Sequence, residues 1–237
     1  MSERHSILET IFEQLAPVHQ DGHKFVAIGA AATLLFFVLF PPVGWLLAGV
    51  TAWIVYFFRD PPRVTPLREG LVISAADGRV SGIDLVKPPA ELGFGPEQRV
   101  RVSTFLSVFD VHINRSPVPG KIIRSVYIPG AFLNAALDKA SEENERRAIV
   151  VQTSNGTEIG CVQIAGLIAR RIVTFAVEGD NVGVGQRFGL IRFGSRTDIY
   201  LPPGKTALVS IGQRMIGGET VIADLKSDEP EREARRD

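Results

Sequence analysis

The sequence has few of the residues that form covalent cross-links or metal clusters. Among 237 residues there are one cysteine, Cys161, and four histidines. A single thiol excludes an internal disulfide and a thiolate-based zinc cluster, so we expect a reducing compartment and a fold held by its core. The 26 basic and 26 acidic residues cancel. The chain therefore lacks the basic character typical of nucleic-acid-binding proteins, and we expect no nucleic-acid partner.

Charge is also absent from one long segment, residues 25–58. Pro41 and Pro42 divide it into two stretches of roughly 16 residues, each about 24 Å long as a helix, against a hydrocarbon core of about 30 Å. We therefore predict a membrane hairpin at residues 23–60, which either spans or only enters the bilayer. A cleaved signal peptide and a buried core hairpin are the alternatives, but the run begins late and is too long for a signal sequence. Cations flank both ends and favour the cytoplasmic face of the cell membrane for both: Lys24, Arg59, Arg63 and Arg68.

The segments at the two ends of the chain differ from the rest. Residues 1–22 carry apolar side chains at helical spacing, which predicts an amphipathic helix near the membrane surface. Residues 227–237 are highly charged and are predicted to be a disordered tail. Residues 61–226 are left as the body of the protein.

The body shows short apolar runs separated by Gly, Pro, Asn and Asp, a pattern that predicts a mainly β fold. Residues 131–147 are rich in Ala, Leu, Glu and Arg and predict a short helix or structured excursion. Residues 178–186 have the glycines of a hairpin turn. The arrangement resembles the hybrid-motif sandwiches of lipoyl and biotinyl domains, without their modified lysine, so we expect a β-sandwich or barrel body. The predicted strands are 71–73, 99–103, 121–128, 148–152, 161–168, 172–177 and 199–201.

Three positions in the body could carry chemistry. The Gly194-Ser195 pair lies between two strand-like runs and is, locally, most simply a turn. However, a serine hydroxyl can attack the preceding glycine carbonyl to form a backbone ester, whose elimination and hydrolysis would leave a pyruvoyl group at Ser195. His112 is the only histidine of the body, either a near-neutral proton carrier or a core residue. Asp77, before Gly78, is most simply a turn former, and it becomes a chemical candidate only together with His112.

Several ordered motifs give a resemblance to a known family. They are residues 57–61, the Ala76-Asp77-Gly78 turn, residues 109–115, residues 144–146, Phe193-Gly194-Ser195 and residues 218–221. In these motifs the chain resembles the phosphatidylserine decarboxylase proenzymes, in their short bacterial and archaeal form.

The resemblance implies that the chain cuts itself between Gly194 and Ser195. The products would be a β chain of residues 1–194 and an α chain of residues 195–237, which remain together as a heterodimer, alone or in a higher oligomer. Ser195 would become the pyruvoyl group, forming a Schiff base with phosphatidylserine, with neither pyridoxal phosphate nor a metal. His112 would donate a proton during decarboxylation to phosphatidylethanolamine, and Asp77 would assist maturation.

One position departs from the long form of that family, which carries two histidines three positions apart. The second position here is Arg115, whose high pKa rules it out as a general base near neutral pH. We therefore give Arg115 only a role toward the phosphate or carboxylate of the substrate. The alternative from another class is a membrane-anchored hybrid-motif adaptor in which Gly194-Ser195 is an inert turn. An adaptor would stay intact, whereas the enzyme would run as two fragments.

Overall fold

The structure is a computed structural model that describes residues 16–130, 144–166, 171–192 and 195–235. It divides into two compact units, Met1–Pro62 and Arg63–Asp237. Most of the predicted amphipathic segment, residues 1–15, and most of the predicted excursion, residues 131–143, lie outside the described residues. The last part of that excursion is not helical, because Arg146 and Arg147 already belong to a strand.

The first unit contains two apolar helices, α1 (Gln20–Leu39) and α2 (Pro41–Phe57). Phe40 alone joins them, and the two prolines stand at the start of α2, where a missing backbone N–H does no harm. The hydroxyls of Thr33 and Thr51 lie 3.2 Å apart across the helix pair. By length and composition α1 could cross a membrane, and α2 is a shorter apolar helix.

The second unit is mainly β, which confirms the predicted fold class. Thirteen strands are found among its described residues, and every strand pair is antiparallel. The strands are β1 (Leu71–Ile73), β2 (Gly78–Val86), β3 (Arg99–Leu106), β4 (Ile113–Arg115), β5 (Gly120–Ile128), β6 (Arg146–Gln152), β7 (Glu158–Ala165), β8 (Ile172–Thr174), β9 (Asn181–Val182), β10 (Arg187–Ile191), β11 (Ser195–Tyr200), β12 (Arg214–Met215) and β13 (Val221–Asp224).

Eight of these strands form one curled sheet in the order β12-β2-β3-β11-β7-β6-β5-β9. A three-stranded sheet, β4-β10-β8, and the pair β1-β13 complete the unit. The predicted hairpin at residues 178–186 is wrong in its pairing, because β9 pairs with β5 rather than with a strand beside it in sequence. The largest apolar cluster includes Val102, Cys161, Phe188 and Ile199, so β11 is central to both the sheet and the core.

Candidate active site

Ser195 is the first residue of the central strand β11 and is completely buried. It is in register with Leu106 of β3 on one side and with Ala165 of β7 on the other. Backbone pairing on both sides therefore fixes the position of its Cα. Phe193 and Gly194, and with them the bond predicted to be cut, lie outside the described residues.

The hydroxyl of Ser195 is buried, and no hydrogen-bond partner for it is found among the described residues. A buried hydroxyl without a partner costs free energy, and folded proteins retain few of them. The group is therefore a candidate for chemistry. Its burial and fixed backbone keep the hydroxyl in a defined position away from bulk water.

Asp77 lies at the same end of the sheet as Ser195. It precedes the first residue of β2, and both β2 and β11 are antiparallel to β3. Arg79 is in register with Phe105, and Phe105 with Arg196. Two interstrand spacings, about 10 Å, thus separate the beginnings of β2 and β11.

The carboxylate of Asp77 is held from two sides in a buried position. Gly217 N–H donates to Oδ1 at 2.8 Å, and Arg63 Nη2 donates to Oδ2 at 2.7 Å. Burial raises the pKa of Asp77 above its ordinary value, although Arg63 and the Gly217 N–H oppose the shift. The charge of Asp110 also raises the pKa. A carboxyl group with a raised pKa is better suited to accept and release a proton.

His112 is completely buried beside the segment that leads to Ser195. Its carbonyl oxygen accepts a hydrogen bond from the N–H of Ile191, four residues before Ser195, at 3.2 Å. Its ring Nδ1 lies 2.9 Å from the carbonyl oxygen of Asp110. A carbonyl can only accept, so we assign the proton to Nδ1. In the neutral ring Nε2 is then the basic nitrogen.

Asp110 is a residue to which the sequence analysis gave no role. One carboxylate oxygen accepts from the backbone N–H and the hydroxyl of Ser107, at 2.8 and 2.7 Å, and the other from Arg214 at 2.6 Å. Ser107 follows Leu106, the β3 partner of Ser195. Asp110 thus links the turn before His112 to the end of β3. The only hint of this role in the sequence was that Asp110 lies two residues before His112.

A layer of buried polar side chains lies next to Ser195 along the strands. Thr197, two residues along β11 and on the same face as Ser195, accepts a hydrogen bond from Asn114 Nδ2 at 3.3 Å. Gln163 of β7 donates to Asn114 Oδ1 at 2.7 Å. The layer joins β4 to the central sheet and thereby positions the His112 segment. Sequence patterns did not reveal it, because its members come from three distant strands.

Arg115 is buried and lies one residue after Asn114 of the polar layer. Its Nη1 donates to the carbonyl of Gly185 at 3.1 Å. A Cβ on Gly218 would come within 2.7 Å of Arg115 Cδ, and the neighbouring Gly217 contacts Asp77. The structure therefore brings Arg115 close to the turn that holds Asp77. Across the described part of the chain, no three potential metal ligands come together.

Comparison with known proteins gives two findings. A family model described as phosphatidylserine decarboxylase matches residues 50–223. The phosphatidylserine decarboxylase proenzyme of Cereibacter sphaeroides (strain ATCC 17025 / ATH 2.4.3) is 56% identical over 218 residues, which cover 92% of this chain and 94% of that protein.

Proposed function

Because the chain belongs to the phosphatidylserine decarboxylase family and is therefore a decarboxylase, we propose that it converts phosphatidylserine to phosphatidylethanolamine with a pyruvoyl group made from Ser195. The observation that carries the proposal is the position of Ser195: its completely buried hydroxyl, without a partner among the described residues, begins the central strand at the sheet end where Asp77 lies. Membership of an enzyme family argues against the adaptor alternative.

Maturation begins at the Ser195 hydroxyl. Its Oγ attacks the Gly194 carbonyl carbon, the peptide C–N bond breaks, and an ester replaces it. Loss of the Ser195 α-proton then eliminates the carboxylate of the β chain, and hydrolysis releases ammonia and leaves the ketone. Asp77 assists this stage, because its buried carboxyl has a raised pKa and lies at the same sheet end.

When formed, the pyruvoyl group supplies a carbonyl that withdraws electrons from the carbon losing carbon dioxide. His112 then delivers a proton to that carbon. Because Nδ1 donates to the Asp110 carbonyl, the proton that moves is carried on Nε2. Arg115 serves the anionic groups of the substrate, because its guanidinium is a planar cation suited to carboxylate and phosphate and lies close to the turn that holds Asp77.

The two fragments would remain associated after the cut. The α chain, residues 195–237, supplies β11, β12 and β13, which pair with strands of the β chain at three places in the fold. These contacts support a heterodimer that needs no covalent link. The hairpin at residues 23–60 would anchor it to the cell membrane, with the body at the cytoplasmic face, as its flanking cations favour.

Intact-mass measurement of the purified protein tests the proposal. Wild type should give two fragments, the smaller from residues 195–237, and release carbon dioxide from phosphatidylserine. Ser195→Ala should remain a single inactive chain of 25.8 kDa. Ser103 of β3 is a matched control, because its hydroxyl is also buried without a partner among the described residues. Ser103→Ala should be cut normally, whereas cleavage of Ser195→Ala would refute the proposal.

A further inference from the structure

Three strongly apolar side chains of the body are exposed on separate loops. The exposed fractions are 86% for Val64, 61% for Phe109 and 38% for Ile216. Single exposed apolar residues are ordinary on protein surfaces. These three require a different explanation because all of them adjoin the same charged cluster.

Short contacts connect the three loops. The N–H of Val64 donates to Glu219 Oε1 at 3.1 Å, and the N–H of Glu219 donates to the carbonyl of Ile216 at 3.1 Å. The residues next in sequence converge as well: Arg63 and Gly217 both donate to Asp77. Phe109 joins this group because its neighbour Asp110 pairs with Arg214, two residues before Ile216. The three residues therefore lie on loops that adjoin the Asp77 and Asp110 carboxylates.

Three cations near these loops are paired with carboxylates. Arg63 pairs with Asp77 at 2.7 Å, Arg214 with Asp110 at 2.6 Å, and Arg68 with Asp224 at 2.6 Å. These three ion pairs offer little net charge to an anionic partner, so we attribute the attraction of this surface mainly to the apolar side chains.

We propose that Val64, Phe109 and Ile216 form an apolar rim that enters the bilayer surface and holds the active site against the lipid headgroups. The inference rests on the proposed function, since it is the lipid substrate that requires a site at the headgroup layer. Exposed apolar side chains beside a polar centre match an interface where hydrocarbon lies below a charged layer. Separate loops can each insert into fluid lipid without the continuous complementary surface that a protein partner requires.

Fluorescence quenching in proteoliposomes tests the rim with the full-length chain. Phe109→Cys, Ile216→Cys and Leu85→Cys are each labelled with an environment-sensitive fluorophore. The native Cys161 is completely buried, so the reagent marks the introduced thiol. Leu85 is the matched control, because it is 62% exposed and lies near the opposite end of β2 from Asp77. Spin-labelled phosphatidylcholine should quench the two rim labels, and aqueous iodide should quench the Leu85 label.

A kinetic experiment gives an independent test. Phe109→Ser should lower kcat/KM for phosphatidylserine in vesicles by about tenfold, the scale expected when burial of one large apolar side chain is lost. Activity on a short-chain, monomeric phosphatidylserine should stay unchanged, as should both activities of Leu85→Ser. The loss should be insensitive to salt, because the rim acts through apolar contact.

The outcomes distinguish a failure of the rim proposal from a failure of the proposed function. Rim labels that lipid quenches no more than the Leu85 label would overturn the proposal. Rim labels shielded from iodide but not quenched by lipid would also overturn it, because a second protein copy would then cover the rim. An equal loss on both substrates in Phe109→Ser would assign Phe109 to the reaction itself. A wild-type protein inactive on both substrates would refute the proposed function, whereas the quenching result would still stand.

Discussion

Gly78→Ala offers a severe test of how the sheet positions Asp77. Gly78 has a φ of +151°, and a Cβ built there would lie 2.1 Å from the carbonyl oxygen of Phe105. Real Cβ atoms essentially never approach closer than 3.0 Å, so the beginning of β2 must move away from β3 by roughly 1 Å. The conformation itself costs a non-glycine residue on the order of 1–3 kcal/mol.

The displacement should reach the reaction because Asp77 is the next residue. A misplacement of about 1 Å can slow a positioned reaction by about 10²-fold, so we expect self-cleavage to slow by about that factor. Gly82→Ala, in the same strand, is the matched control: its Cβ would meet the end of the flexible Asp84 side chain at 3.1 Å. It should be cut at the normal rate.

The assay follows the small fragment on a gel over time, after circular dichroism has shown that the variant keeps its strand content. The chain is synthesised in a cell-free system so that time zero is defined. If a folded Gly78→Ala chain is cut as fast as wild type, the position of Asp77 relative to Ser195 has no part in maturation. Slow cleavage of Gly82→Ala as well would show that β2 as a whole, rather than its first residue, is sensitive.

The remaining predictions separate maturation from turnover. His112→Ala should lower carbon dioxide release per pyruvoyl group by about 10² to 10⁴-fold, the usual contribution of a general acid–base group; normal release per pyruvoyl group would contradict its role. Asp77→Asn should slow cleavage, scored by fragment yield, more than it slows turnover of the matured fraction. Since burial raises the pKa of Asp77, its proton-accepting form is lost as the pH falls through a value above that of an exposed aspartate. Wild-type cleavage should slow there, and Arg63→Met, which removes the cation that lowers this pKa, should move the decline to higher pH. A decline at the same pH in both proteins would exclude Asp77 as its source.

The strands that the sequence predicted best are those with apolar runs between turn residues. Residues 71–73 form a strand with the predicted bounds, and the run 121–128 differs from β5 by one residue. The strand predicted at residues 199–201 is too short, because β11 begins four residues earlier with polar side chains. Those residues are buried with partners that no local pattern reveals: Arg196 pairs with Asp198 at 2.9 Å, and Thr197 bonds to Asn114.

The site was predicted as single residues rather than as an arrangement. Ser195, His112 and Asp77 came from residue chemistry and from the family resemblance. Their relative positions depend on the strand order β2-β3-β11, which joins segments more than a hundred residues apart. Asp110 was missed because an acidic residue in a turn usually stabilises only that turn. Its contact with Arg214 appears only when the last part of the chain is folded against the first.

Because β11 is central to the sheet, the order of synthesis limits when self-cleavage can begin. The strand that begins with Ser195 must insert between β3 and β7, and the last strand, β13, pairs with the first, β1. A ribosome-bound chain that ends before residue 195 contains neither β11 nor β13, so neither pairing can form. Self-cleavage that requires this geometry can therefore begin only after translation is almost complete and the body has closed. Truncated or misfolded copies would stay uncut and inactive, so the cut itself would report that folding has succeeded.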